Sequence, residues 1–413
     1  MSHDPQRPPL AKSSRPRRII AMVLVSIGVL LVVVGFWLRD ESPPDDSDLQ
    51  PPMAEGIPEA ENVIPAIIAA KALLVEPPEW YGLDDFEDRG ESIDWENIDS
   101  LIAQNEPYFA ALDVALARPR CRLLRSTMLE CPHFSAMRSA QRWLTDRMKW
   151  WVHHGEVERA VDLWLRWTGV VWEASGFPGS VMDLYFCAAV HSACSATAVE
   201  LAESPAVTIE QLARMKSRLA EAPSLFGSVS VGLRYEYSVM TQGIADGLPT
   251  EWSDRFPSWT LLYKPNATRR RYGGHVRAAL RAFEARDPSL FSPLPEERGE
   301  IRWILGGNYA GESILTVFVL PFPLLYEQLH RVEASVAVHR VALALRAHEL
   351  SEAELPVDLS SLVPRWLEPG VLDSLEHPLE YDRAARFIGL ERRSDLEPVQ
   401  PPKLIVLDRR ESD

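Results

Sequence analysis

The sequence predicts a mainly α chain with three parts: an N-terminal transmembrane helix, an array of antiparallel helical hairpins, and a small C-terminal tail that contains strands. Three observations support this fold class. An uncharged apolar run fills residues 19–38. Apolar side chains then recur at helical spacing through residues 98–350. Short apolar segments with strand-like composition follow in residues 351–413.

The apolar run from Ile19 to Leu38 contains no charged residue. A helix needs about 20 apolar residues to cross the hydrocarbon core of a bilayer, whereas the core of a signal peptide has about 7–15. The run is followed by Arg39, Asp40 and Glu41, which do not form a cleavage site of small residues. We therefore expect an uncleaved signal anchor that contacts the lipid bilayer through residues 19–38.

The flanking charges predict the orientation of this anchor. Residues 1–18 form a basic tail with five basic side chains against Asp4. Because basic residues favour the cytoplasmic side, we expect the N-terminus inside the cell. The predicted location is the cytoplasmic (inner) membrane of a bacterium, crossed once, with the residues after about 39 on the extracytoplasmic, periplasmic side.

An acidic, proline-rich segment follows the anchor. Residues 40–99 hold 18 acidic side chains against Lys71 and Arg89. Such a composition does not bury enough apolar surface to fold, so residues 39–97 are predicted to be a solvated spacer with one short helix at residues 62–74. Most of the net charge of −16 lies here. The chain as a whole therefore lacks the basic face that binding to nucleic acid requires.

Residues 98–350 are predicted to form the helical body. Gly155 interrupts two amphipathic stretches, as expected for a helix hairpin. Thr208 and Gln211 have the spacing of a capping box at a helix start. The apolar stretch 314–325 is too short to span a bilayer and contains two prolines, so we expect it to be buried or interfacial.

The C-terminal tail, residues 351–413, is predicted to be a small α+β unit. A long helix precedes it, over about residues 324–349. Short strands are expected at residues 379–381, 386–391 and 404–407.

The four cysteines raise the question of disulfides, because an extracytoplasmic domain folds in an oxidising compartment. Cys121 and Cys131 lie between two predicted helices and are the candidate pair. Cys187 and Cys194 are seven residues apart in one helix, which separates them by about 10 Å, too far for a bridge.

Cys187, His191 and Cys194 form the sharpest pattern in the chain, since their spacing places them on one stripe of a helix. Thiolates and imidazole suit zinc or copper, although a fourth ligand would have to come from elsewhere. The alternative, a packing face of small residues, is favoured because most of the neighbouring residues are alanines. We therefore predict neither a metal nor another cofactor.

No catalytic signature stands out in the sequence. The chain has no zinc-protease helix motif, no nucleophile elbow, no P-loop and no dinucleotide fingerprint. The sequence therefore identifies no catalytic residue, and these stay unknown. The tryptophans that crowd residues 143–172 are better explained by core packing than by a ligand groove.

Several stretches of the chain carry a resemblance to a known group. Their residues are Glu61-Asn62, Pro119-Arg120-Cys121-Arg122, Pro132-His133, Gly155, Lys264-Pro265-Asn266-Ala267, Asn308-Tyr309-Ala310-Gly311, Leu355-Pro356, Leu359, Leu362-Val363-Pro364, Leu367, Asp373, Pro378-Leu379 and Tyr381. Together they resemble a group of uncharacterised, single-pass, helix-rich bacterial envelope proteins. The likeness covers most of the chain after residue 60, and the tail is also similar to the ends of type II secretion pseudopilins. The long body at residues 98–350 sets the chain apart from pseudopilins.

These observations favour a membrane-tethered extracytoplasmic scaffold or protein-interaction module. Its expected partners are the bilayer and an envelope protein. The alternative is an envelope enzyme, such as a hydrolase, with a site that the sequence does not reveal.

Overall fold

A computed structural model describes residues 15–52, 56–76, 94–124, 131–246, 263–292, 308–372, 379–384 and 387–390. This part of the chain is mainly α-helical and has a small two-stranded sheet near its C-terminal end. The predicted helical class and the strand-containing tail are thereby confirmed. The chain divides into two compact units. Unit 1 comprises residues 1–45, 241–274 and 293–319, and unit 2 comprises residues 46–240, 275–292 and 320–413.

The regular elements are numbered here in chain order. The helices are α1 (Arg15–Leu38), α2 (Val63–Lys71), α3 (Trp95–Gln104), α4 (Glu106–Leu116), α5 (Pro132–His153), α6 (Val157–Ser175), α7 (Val181–Ala202), α8 (Ile209–Ala220), α9 (Leu225–Asp246), α10 (Pro265–Ala285), α11 (Tyr309–Val319) and α12 (Pro321–Glu352). The strands are β1 (Leu379–Asp382) and β2 (Phe387–Leu390), which pair antiparallel. The strand predicted at residues 404–407 lies outside the described residues.

The first helix, α1, belongs to unit 1 and is continuous over 24 residues. Each residue from Met22 to Val32 is exposed, and Val32 is 70% exposed. A β-carbon placed on Gly28 or Gly35 would meet nothing within 4 Å. The apolar side chains of this stretch are therefore not covered by the described protein.

One helix in the described part of the chain is long and apolar enough to cross a membrane, and that helix is α7. Its most apolar window is 61% buried inside the protein. The described residues of α1 add a shorter apolar stretch, Met22–Val32.

Helix α7 lies at the centre of unit 2 and packs against α5, α6 and α12. Ser180 begins it, because the Ser180 hydroxyl accepts a hydrogen bond from the Asp183 amide at 3.1 Å. Its neighbour α8 begins with the predicted capping box, since Thr208 and Gln211 bond each other's backbone N–H groups. Both helix starts follow from local sequence.

Helices α5 and α6 pack against each other around Gly155, whose φ of +78° lies in the left-handed region that glycine adopts without strain. The tryptophans of this pair are mostly buried, with Trp143, Trp164 and Trp167 at 1% exposure or less. Core packing therefore explains them, as the sequence predicts.

Asn62 joins α2 to the segment before α5. The Asn62 side chain accepts a hydrogen bond from the Ile64 amide at 3.3 Å and so caps α2. It also exchanges two 3.0 Å hydrogen bonds with the backbone of Arg122. Glu61-Asn62 and Pro119–Arg122, two of the stretches that carry the sequence resemblance, are therefore neighbours in the structure.

The tail packs on α12 in unit 2. Leu355, Leu362, Leu367 and Ile388 are buried against Leu345 and its neighbours on that helix. Apolar burial thus holds the short strands in place, because a two-stranded sheet is marginal by itself.

The acidic segment after α1 differs from the prediction. A solvated spacer is wrong for residues 46–50, because Leu49 is fully buried and Asp46 is 7% exposed. The Asp46 carboxylate accepts the Tyr237 hydroxyl at 2.6 Å, and Asp48 pairs with the Arg277 guanidinium at 2.6 Å. Hydrogen bonds from Arg277 hold the pKa of Asp48 below its usual range. Composition predicted solvation because it does not reveal partners more than 180 residues away.

Candidate functional site

The start of α10 is built around a remote carboxylate. Lys264 and Pro265 supply no side-chain acceptor for the first turn, whose N–H groups have no partner within the helix. Asp40 fills this gap: its two oxygens accept the amides of Asn266 at 2.9 Å and Ala267 at 3.2 Å. We call this contact the Asp40 clasp. All of its residues lie in unit 1.

The residues next to Asp40 extend the clasp. The Glu41 carbonyl accepts the Asn266 side-chain amide at 3.0 Å. The Arg270 guanidinium pairs with the Glu41 carboxylate at 3.1 Å and donates to the Ser42 carbonyl at 2.9 Å. The chain that leaves α1 is therefore held along the first turns of α10.

A second side chain, Asn308, supports the same helix start. Its Oδ1 accepts the Lys264 amide at 2.8 Å, and its Nδ2 donates to the Thr268 hydroxyl at 3.0 Å. Asn308 is 3% exposed and Thr268 is fully buried. A β-carbon on Gly311 would lie 2.1 Å from the Thr268 hydroxyl, so α11 approaches at a distance that only glycine allows.

We call Lys264, Thr268 and Asn308, which these hydrogen bonds join, the polar knot. Lys264 and Asn308 come from two of the stretches that carry the sequence resemblance. Tyr263 adjoins it, and its hydroxyl donates to the Ile244 carbonyl at 2.8 Å. Burial, and secondarily the Asp40 charge, raises the pKa of Tyr263 to about 12. A phenol in this state donates a hydrogen bond at neutral pH and does not act as a base.

His133 and Asp183 form the strongest candidate for chemistry in unit 2. His133 Nε2 lies 2.8 Å from Asp183 Oδ1, and both side chains are 0% exposed. The other Asp183 oxygen accepts the Gly179 amide at 2.7 Å. Glu236 accepts the Val181 amide beside them, and burial raises its pKa, with the Asp183 charge adding to the effect.

This pair resembles the half of a catalytic triad that orients a histidine, but it lacks the other half. The Nδ1 atom of His133 has no hydrogen-bond partner within the part of the chain that the structure describes. A general base must reach the proton that it abstracts, and this imidazole is sealed from solvent. The arrangement can tie α5 to α7 through a buried hydrogen bond, which is a structural role.

Cys187, His191 and Cys194, the candidate metal ligands of the sequence, all lie on α7, and two of them contact side chains of α5 and α6. His191 Nε2 lies 3.0 Å from the Ser175 hydroxyl, and the ring packs 4.4 Å from Trp172. Cys194 donates to the Gln141 side chain at 3.4 Å. Burial lowers the pKa of His191 to about 3 and raises the pKa of Cys187 and Cys194. Neutral thiols and a neutral imidazole suit a packed core.

Metal ligation finds no support in the described ranges. They contain no group of three or more His, Cys, Asp or Glu side chains that could hold a metal ion. Cys121 is buried, Cys131 is half-buried, and both thiols are free. Burial raises the pKa of Cys121. The structure therefore contains no bond between Cys121 and Cys131, and their disulfide stays a prediction.

Sequence reasoning missed the acidic residues that organise these sites. Asp40 lies in the segment that the sequence predicts to be a spacer. No neighbouring residue marks it as the cap of a helix that begins 225 residues later. Asp183 had a usable signal, because it stands three residues after the N-cap Ser180. Glu236 lies within α9, and its sequence neighbours give no indication of its contact.

Comparisons with known proteins add no identity. No family model, no curated protein and no solved structure matches this chain.

The clasp makes a direct prediction about the stability of α10. Replacing Asp40 with alanine leaves two amides of the first turn without an acceptor, so we expect a loss of about 1–2 kcal/mol. Hydrogen exchange measured by mass spectrometry should show faster exchange at Asn266 and Ala267. Glu59→Ala, at an exposed acidic residue of the same stretch, is the control. Unchanged exchange in Asp40→Ala would show that the clasp is not a cap.

The glycine contact predicts opposite effects at two helical glycines of unit 1. Gly311→Ala should lower the melting temperature, because the added methyl group collides with the buried Thr268 and Asn308 side chains. Gly274→Ala meets nothing within 4 Å and should raise stability by up to about 1 kcal/mol. Thermal unfolding of both variants in detergent gives the comparison. A more stable Gly311→Ala variant would contradict the described packing.

Burial of His191 predicts sensitivity to acid. Its folded pKa of about 3 lies below the ordinary value of 6.5, so the unfolded state binds one proton more between these pH values. Its contribution is therefore complete above pH 6.5 and is lost as the pH falls, at about 1.4 kcal/mol per pH unit. His191→Gln should lessen the acid dependence of the urea midpoint, whereas His154→Gln controls for substitution at an exposed site. Equal acid dependence of His191→Gln and wild type would refute this.

Proposed function

We propose that this chain is a single-pass membrane protein that holds a helical scaffold, or protein-interaction module, outside the cytoplasmic membrane of a bacterium. The module is an array of antiparallel hairpins of which α5 and α6 form one. The observation that carries the proposal is α1, a continuous helix whose residues from Met22 to Val32 are all exposed. Apolar side chains in this state need lipid around them.

Flanking charge supports the orientation. Basic residues crowd the N-terminal side of α1, and acidic residues follow its C-terminal side. Unit 2 then lies on the extracytoplasmic side of the membrane. The central helix α7 is excluded as a second anchor in this proposal, because unit 2 buries most of it.

The polar groups of unit 2 favour a scaffold over an enzyme. His133 and Asp183, the pair best suited to acid–base chemistry, are fully buried. By contrast, large apolar side chains such as Phe177 and Met182, which flank the start of α7, are 45% and 55% exposed. A surface of this kind suits contact with another protein.

Cysteine accessibility tests the placement. In a Cys131→Ser background the other native thiols are buried. Val357→Cys, at a side chain that is 77% exposed, should react with a membrane-impermeant maleimide in cells whose outer layer has been permeabilised. Ser2→Cys should react only after lysis, because the N-terminus is proposed to lie inside. Labelling of both or neither before lysis, or release of the protein by a carbonate wash, would overturn the proposal.

The scaffold role has its own readout in the same cells. A photocrosslinking amino acid at Met182 should capture one envelope protein reproducibly, whereas the same group at the exposed, polar Glu210 should not. Identical capture at both positions, or none at Met182 or Phe177, would count against an interaction surface at the start of α7.

A further inference from the structure

We infer that unit 1 carries a lipid-contacting surface beside the end of α1, in which arginines bind the phosphate groups of lipid headgroups and α11 lies at the membrane interface. This inference rests on the proposed function, because it requires α1 to span the bilayer. It names a second contact of the protein with the membrane. The surface is defined by Arg39, Arg271 and Val317.

The Asp40 clasp fixes the position of this surface. Asp40 follows Leu38, the last residue of α1, by two positions, so its Cα lies within about 8 Å of the end of the helix. Its carboxylate bonds the first turn of α10 directly. The headgroup layer on each side of the hydrocarbon core is about 5–8 Å thick. When α1 spans the bilayer, the start of α10 therefore lies at the level of the headgroups.

The residues around the end of α1 and the start of α10 carry a net positive charge, whereas the whole chain is net negative. Residues 39–45 and 264–274 contain five basic and three acidic side chains, although the whole chain has a net charge of −16. Two of the acids are engaged within the clasp, Asp40 on backbone amides and Glu41 on Arg270. Arg39, Arg270 and Arg271 are exposed. Guanidinium groups bind phosphate through paired hydrogen bonds, so this surface suits phospholipid headgroups.

Helix α11 adds an apolar edge to the same surface. Gly311, near its start, packs on Thr268 and Asn308 of the polar knot. Further along, the Phe318 ring lies 6.5 Å from the Tyr272 ring of α10. Leu315 and Val319 are buried, whereas Val317 is 60% exposed between them. An 11-residue apolar helix is too short to cross a bilayer, and an exposed apolar side chain beside basic ones is typical of an interfacial helix.

Depth-dependent fluorescence quenching tests this inference on the full chain in nanodiscs of phosphatidylcholine, with or without phosphatidylglycerol. A fluorophore is placed on Val317→Cys, Val25→Cys or Val357→Cys in the Cys131→Ser background. We expect quenching of Val317→Cys by a headgroup spin label and of Val25→Cys by a spin label deep in the acyl chains. Val357→Cys, an exposed position of unit 2, is the reference label with which the other two are compared.

The three labels separate the failure of this inference from the failure of the proposed function. If Val25→Cys is quenched by deep lipid but Val317→Cys behaves like Val357→Cys, α1 spans the bilayer and the lipid-contacting surface is refuted. If Val25→Cys escapes deep quenching, the membrane anchor itself is refuted, and this inference with it.

The arginines are tested by a paired substitution. Phosphatidylglycerol should increase headgroup quenching at Val317→Cys, and Arg39→Gln with Arg271→Gln should abolish that increase. Arg159→Gln with Arg383→Gln, two exposed arginines of unit 2, is the matched control and should retain the increase. Retention of the increase in the Arg39/Arg271 variant would overturn the phosphate-binding role.

Discussion

Every helix of this chain begins with backbone N–H groups that need an acceptor, and the way each helix meets this need organises the structure. At α8 the acceptor is local, because Thr208 and Gln211 form a capping box. At α2 it is Asn62, whose side chain also binds a segment 60 residues away. At α10 the acceptor is Asp40, which the chain brings from the end of α1. The need for an acceptor at the helix start is therefore met by a local cap at α8, by a link to a second segment at α2, and by the Asp40 clasp at α10.

The clasp changes how α1 relates to the rest of unit 1. A helix followed by an acidic, proline-rich stretch would ordinarily be joined to its domain by a flexible tether. Here the residues directly after α1 are bound to α10 by hydrogen bonds and an ion pair. In the proposed membrane arrangement, a helix held in this way would set the level of unit 1 relative to the bilayer. The proposed lipid-contacting surface depends on this link, which lies entirely within unit 1.

Buried polar groups in unit 2 serve packing in the same manner. His133 and Asp183 satisfy each other between α5 and α7, and His191 bonds Ser175 between α7 and α6. Apolar contacts alone allow neighbouring helices to slide past each other. A buried hydrogen bond is satisfied in only one relative position of two helices, so it selects that arrangement. Cys187, His191 and Cys194 are all buried in this packing.

The sequence by itself determined the features that depend on neighbouring residues. These are the helical class, the hairpin break at Gly155, the capping box at Thr208 and the two strands within residues 379–390. Short-range spacing and turn chemistry set them, so one sequence is enough. Only the tertiary structure decided the partners of Asp40, Asp46, Asp183 and Asn308, because each bonds a residue 40 or more positions away. The residues around an acidic side chain are the same whether its carboxylate is bound by water or by a donor far along the chain. Only the folded structure shows which of these two partners the carboxylate has.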